Sequence, residues 1–244
     1  MKESTKLFLV LYFNQLKGVK MTKNKIIRIV IILISLILSL MLYSSEYYIR
    51  NNVEDIEKSI SEFLEKDVIV VKYEKVDNTI YVYFSDDSKE NVGHTVLHRG
   101  LNFRYQIRQV NYGSNNQILR IQEFKTLFNR YWAVFGTNYD NRISKIIFDG
   151  GVREISLTNI EKMDEILVIH QSDNKTSGLT HIFEYILLDT ESNDITKEMN
   201  SYITVEHSSG FGRGKAELFL LNIFCIGIIL VGYGISKMIK TDEK

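Results

Sequence analysis

Five histidines, a single cysteine and thirty acidic side chains are the reactive inventory of this 244-residue chain. His94 and His98 are four residues apart in Gly93-His94-Thr95-Val96-Leu97-His98. The glycine and the β-branched residues favour strand over helix there. In a strand the two imidazoles share a face but lie roughly 13 Å apart, too far to share one metal ion. No Glu stands beside them in a zincin pattern. His170, His181 and His207 occur singly, and no Gly-x-Ser-x-Gly turn is present to supply a strained nucleophile. Asp86-Asp87-Ser88 could hold a cation, but such a run reads first as a turn with its own acceptors. Gly210, Gly212 and Gly214 alternate, which is not the Gly-x-Gly-x-x-Gly spacing that cradles a phosphate. No metal, cofactor or catalytic constellation is expected.

One cluster has binding chemistry. His98, Arg99, Arg104 and Arg108 are interleaved with Phe103 and Tyr105. Guanidinium groups beside aromatic rings could hold an anionic wall polymer or an acidic partner surface. The plainer reading is a solvated strand face. Read as a strand over 103–110, Phe103, Tyr105, Ile107 and Gln109 share one face, and Arg104, Gln106 and Arg108 the other. The only Trp, Trp132, lies in the apolar run Tyr131-Trp132-Ala133-Val134-Phe135. Such a run reads as a strand buried on both faces, so Trp132 is core rather than a ligand platform.

These residues lie between two apolar segments, Ile26–Tyr43 and Leu218–Ile235. Each approaches the roughly 20 residues needed to cross the hydrocarbon core. Lys23, Lys25 and Arg28 flank the start of the first, and Tyr43, Tyr47 and Tyr48 its end. Positive charge stays inside, so the N-terminus is expected in the cytoplasm. If both segments span, the C-terminus is cytoplasmic too and the middle region faces outward. A cleaved signal peptide would share the basic start and apolar run. The Leu42–Ser45 stretch has no small-x-small pair ending in Ala and no lipobox cysteine, so an uncleaved anchor is expected. Lys17-Gly18-Val19 can be encoded by a purine-rich ribosome-binding sequence. Met21 is therefore an alternative start, with 1–20 an artefact of start assignment or else a short amphipathic leader.

Net charge is zero, but it is unevenly spread. Residues 1–45 hold seven Lys or Arg and one acid, whereas 46–216 hold 20 basic and 26 acidic residues. An acidic middle region argues against a general nucleic-acid binder. Cys225 lies inside the second apolar segment, so the middle region has neither disulfide nor thiolate zinc. The absence of proline, with abundant Ile, Lys and Asn, fits an AT-rich, low-GC Gram-positive coding sequence.

The expected organisation is a cytoplasmic start over 1–25, a membrane helix over 26–43 and an amphipathic helix over 44–66. A β-rich domain follows over 67–207, then a Gly-rich tether over 208–216, a second membrane helix over 217–236 and a tail over 237–244. Ile49, Val53, Ile56, Ile60 and Phe63 form the seam of the amphipathic helix, which could continue from the first membrane helix. Strands are expected near 68–73, 80–84, 92–97, 103–110, 131–135, 143–148, 152–157, 166–170 and 182–188. Asp77-Asn78 and Asp149-Gly150-Gly151 mark hairpin turns. The stretch 118–124 is strand or short helix, 194–199 is ambiguous, and a split into two β-rich units is expected near 111–117. The fold class is α+β and mostly β.

Tyr131 to Asn138, a Trp strand ending in Gly136-Thr137-Asn138, is followed by alternating Ile over Ile143 to Phe148. This resembles a strand pair in uncharacterised exported, membrane-anchored β-rich proteins of Gram-positive bacteria. Val68 to Gly100 resembles the strands that precede that pair. The likeness covers about half the chain. It implies an extracytoplasmic β-rich domain and no catalytic residue. The expected function is a two-span membrane protein whose outer domain contacts a membrane-protein partner of the envelope. It would serve as a non-enzymatic subunit, regulator or sensor. The alternatives are an envelope hydrolase or polymer-modifying enzyme, and a binder of anionic wall polymer through Arg99, Arg104 and Arg108.

Overall fold

A computed structural model describes residues 23–115, 117–126, 128–149, 154–158, 160, 164–171, 184–202 and 215–239. The leader with Met21, the Gly150-Gly151 turn, Gly178, His181, His207 and the Gly-rich stretch 208–214 lie outside them. Helix α1 spans Lys23–Glu46 and α2 spans Val53–Leu64. Strands β1 (Ile69–Val76), β2 (Thr79–Ser85), β3 (Asn91–Arg99), β4 (Tyr105–Ser114) and β5 (Leu119–Lys125) follow. Next come β6 (Arg130–Thr137), β7 (Lys145–Asp149), β8 (Glu154–Thr158), β9 (Glu165–Gln171) and β10 (Glu184–Leu188). The chain ends with α3 (Thr196–Asn200) and α4 (Lys215–Met238). It packs as two compact units: Met1–Glu46 with Ala216–Lys244, and Tyr47–Lys215.

In the first unit α1 and α4 are long and apolar enough to cross a membrane, one near each end of the chain. Both run past the apolar segments read from the sequence, and α4 starts inside the expected tether. The two pack against each other through small residues. Ser39 Oγ donates to the Cys225 carbonyl at 3.2 Å. A Cβ on Gly232 would come within 2.4 Å of the Ser35 side chain. Arg28 Nε donates to the Ile239 carbonyl at 3.0 Å. The pairs 28–239, 35–232 and 39–225 run in opposite senses, so the helices are antiparallel. Ser35, Ser39 and Ser236 are buried in the seam, while Leu40, Met41, Phe224 and Leu230 are exposed. Small residues let two apolar helices approach closely where no hydrophobic drive exists between them.

The second unit is a stack of three antiparallel sheets. Sheet A is a meander, β1-β2-β3-β4; sheet B is β5-β6-β9; sheet C is β10-β7-β8. The two-residue turn Asp77-Asn78 sets Val76 opposite Thr79, as the hairpin signal predicts. Alternation along β2 then divides its side chains between two cores. Ile80, Val82 and Phe84 face α2, meeting Ile56, Ile60, Leu97 and Ile107. Tyr81 and Tyr83 face sheet B, meeting Val96, Phe124, Ala133 and Phe135. Beyond sheet B, Val134 and Ile166 join Ile143, Ile146 and Phe148 of sheet C, with Met199 of α3 closing that core. The chain passes from sheet A to sheet B between Ser114 and Leu119, at the end of the expected 111–117 split, and the two sheets share a core.

One expectation is corrected and two open readings are resolved. The helical seam does not begin at Ile49. Asn52 caps α2, its Oδ1 accepting from the Asp55 amide at 2.8 Å, so the helix begins only at Val53. Ile49 instead exchanges backbone hydrogen bonds with Tyr105, at 3.0 and 2.8 Å. Extended residues therefore separate α1 from α2, and Val53 is exposed. The stretch 118–124 is strand β5, pinned by seven-residue pairing to β6. Residues 194–199 resolve into an isolated bridge at Asp194 and the short helix α3.

Gly136 lies where β6 crosses Ile118, and a Cβ there would fall 1.9 Å from the Ile118 carbonyl oxygen. Gly136→Ala must therefore push backbone from backbone. Thermal denaturation of the full chain in detergent, followed by Trp132 fluorescence, is expected to show a loss of roughly 1–3 kcal/mol.

Candidate functional site

The basic–aromatic cluster is split by the turn between β3 and β4. Phe103 is not in a strand. It has φ of 61° in the turn, where its amide donates to the Gly100 carbonyl at 3.1 Å. Gly100 N donates to the Arg104 carbonyl at 2.7 Å, and Asn102 Oδ1 accepts from Arg104 N at 3.1 Å. The Phe103 ring is 71% exposed, with the Arg99 guanidinium 4.6 Å above its centroid. Such stacking holds a cation beside an apolar surface. Arg104 stays half-buried on the turn. Tyr105 is buried against α2, so it cannot offer its ring to a ligand.

The expected alternation over 103–110 also fails in its second half. Val96 pairs with Gln109 but Leu97 pairs with Ile107, so Arg108 is the extra residue of a β-bulge. Tyr105 and Ile107 face the α2 core, and beyond the bulge Val110 takes that face in place of Gln109. Arg108 and Gln109 both line a cleft on the other side.

That cleft, about 640 Å³, runs along β5 and is lined by His98, Arg108, Glu123, Lys125, Trp132 and Tyr185 among others. Arg108 Nη1 donates to His98 Nε2 at 3.0 Å, which leaves the imidazole neutral with its proton on Nδ1. Burial, then the Arg108 charge, push the His98 pKa down to about 4. Glu123 is paired with Arg130 at 3.2 Å. The cleft therefore offers hydrogen bonds, the Arg108 guanidinium, the Lys125 ammonium and three aromatic rings, with its carboxylate already paired. Those groups suit binding.

The remaining candidates have structural work. His94 shares the His98 face, as expected, but stacks on Tyr81 at 5.5 Å, with Asn111 Nδ2 2.7 Å from its Nε2. Burial depresses its pKa to about 3. Both Asp86 oxygens accept donors from its own turn and from Tyr112, which leaves the turn reading and no cation seat. His170 is exposed. Among the described residues no group of three or more His, Cys, Asp or Glu could hold a metal ion. Sequence reasoning missed the cleft, because Gln109, Glu123 and Tyr185 meet only through the packing of three sheets.

No protein family, curated protein or solved structure matches the chain. Roles for these residues rest on the geometry alone.

Two neutral buried histidines make stability depend on pH. The unfolded chain protonates them near pH 6.5, whereas the folded chain resists until about pH 4 for His98 and about pH 3 for His94. Across that window the unfolded state binds more protons, so stability is full above pH 6.5 and falls as pH drops. The melting temperature is expected to decrease between pH 7 and pH 4.5, and His98→Gln, which keeps an acceptor for Arg108, is expected to flatten that decrease.

Proposed function

We propose that the chain is a two-span protein of the cell membrane with both termini in the cytoplasm. The β unit then stands outside as an interaction domain for a membrane-protein partner of the envelope. It acts there as a subunit, regulator or sensor without chemistry of its own. The observation that carries this reading is the antiparallel seam of α1 and α4. A hairpin of two apolar helices returns the chain to the side it came from. The cluster of Lys23, Lys25 and Arg28 in the first turns of α1 supports placing that side in the cytoplasm. The resemblance to exported β-rich proteins of Gram-positive bacteria agrees with an outward β unit.

A second reading is favoured by the cleft beside β5. Arg108 and Lys125 line it and could hold the anionic groups of a wall polymer. Steeply salt-dependent binding, lost in Arg108→Gln, would select this reading over a protein partner.

The topology is tested by chemistry at two positions. Oxidation is expected to link Ser39→Cys to Cys225 within the full chain, and to leave Leu40→Cys, on the exposed side of α1, unlinked. In intact cells a membrane-impermeant maleimide is expected to label Ser88→Cys, on the β2–β3 turn, in a Cys225→Ser background. Labelling only after lysis would put the β unit inside and end the reading. Crosslinking from Ser88→Cys followed by mass spectrometry is expected to capture one dominant membrane protein.

A further inference from the structure

Three turns meet at one end of the β unit. Asp77, in the β1–β2 turn, accepts from Thr126 Oγ1 at 2.9 Å and Asn129 Nδ2 at 3.1 Å, both in the β5–β6 turn. Tyr131 donates its hydroxyl to the same oxygen at 3.1 Å. The Arg99 amide, where the β3–β4 turn begins, donates to the Asn78 carbonyl at 2.8 Å. This end carries large apolar side chains that face water: Leu101 is 87% exposed, Phe103 71% and Phe128 84%. Isolated exposed apolar residues are ordinary, but three on adjoining turn tips of one end form a patch.

The charge around the β3–β4 turn has one sign. No Asp or Glu occurs between Glu90 and Glu123, a stretch that holds Arg99 and Arg104. On neighbouring segments, Asp77 is engaged as described and Asp55 pairs with Arg50 at 3.6 Å.

The position of the turn is set by the chain itself. Tyr47 directly follows the last residue of α1, and Asn102 Nδ2 donates to its carbonyl at 2.8 Å. Ile49 is then paired with Tyr105. Asn102 of the β3–β4 turn is thus hydrogen-bonded to the residue that directly follows the end of α1 in the chain. If α1 spans a bilayer, as proposed above, that end emerges in the headgroup layer.

We propose that the β3–β4 and β5–β6 turns form a lipid-surface site, seating Leu101, Phe103 and Phe128 at the acyl boundary and Arg99 and Arg104 on lipid phosphates. Apolar side chains beside cations are the composition that binds an anionic interface. An anionic polymer would engage the arginines but leave the three apolar side chains in water. The proposal rests on α1 being membrane-spanning.

The test uses the full chain with Cys225→Ser, reconstituted in vesicles of phosphatidylcholine and phosphatidylglycerol containing spin-labelled quencher lipid. An environment-sensitive fluorophore is attached in turn at Leu101→Cys, Phe103→Cys, Phe128→Cys and, at the far end of sheet A, Ser88→Cys. Quenching and a blue shift at the first three, absent at Ser88→Cys, are the expected result. Adding Arg99→Gln with Arg104→Gln is expected to weaken the quenching at Phe128→Cys. Protein that floats with the vesicles but shows equal, weak quenching at all four positions overturns the site alone. Protein that does not float overturns the membrane-spanning reading and the site with it.

Discussion

Tyr131, Ala133 and Phe135 point from β6 into the core shared with sheet A, while Trp132 and Val134 take the opposite face. A strand apolar on both faces must be covered twice, since each large side chain left in water forgoes roughly 1.5–3 kcal/mol. One cover is the meander β1–β4 and the other is sheet C with α3. The meander is itself two-faced, because β2 and β3 are buried along nearly their whole length. It therefore needs α2 on its outer side. The layering of helix and three sheets follows from that demand, repeated from one sheet to the next.

A buried asparagine between these layers and an exposed aspartate at one end of them hold the register. Asn138 is buried, with its amide donating to the Ile143 and Ile160 carbonyls and its Oδ1 accepting from Ile143 N at 2.8 Å. It ties the exit of β6 to the start of sheet C. Asp77 ties the β1–β2 turn to the β5–β6 turn, and its donors hold its carboxyl below the usual carboxylate range. A buried group left without its partner costs more than the bond contributes when made. These ties thus discourage the one-residue slips that would turn every strand inside out. The same burial favours the neutral form of His94 and His98.

The two surfaces with binding capacity arise at the margins of this stack. The cleft exists because β5 is an edge strand of sheet B and β4 an edge strand of sheet A, so the bulge at Arg108 opens beside an unpaired strand. The apolar turn tips exist because three hairpins end together, where no fourth layer covers them. The groups these two surfaces present are cations and apolar side chains, the composition of binding surfaces.

Much of this was legible in the residues. The two apolar segments, the hairpin at Asp77-Asn78 and the double burial around Trp132 follow from local pattern, which depends only on a residue and its near neighbours. His94 and His98 sharing a strand face is of the same kind. The basic cluster was legible as composition but not as a site. Its members were divided by a left-handed turn position filled by Phe103 and a bulge at Arg108, residue types that do not announce either feature. Ile49 continued the helical spacing, yet the Asn52 cap and pairing with Tyr105 across more than fifty residues took it into the sheet. The sequence by itself determined the elements and which faces must be buried, because hydropathy period is a local property. Only the tertiary structure decided which sheet covers which, where the cleft opens and which apolar residues stay outside. Those outcomes depend on contacts between segments far apart in the chain, and no local pattern encodes them.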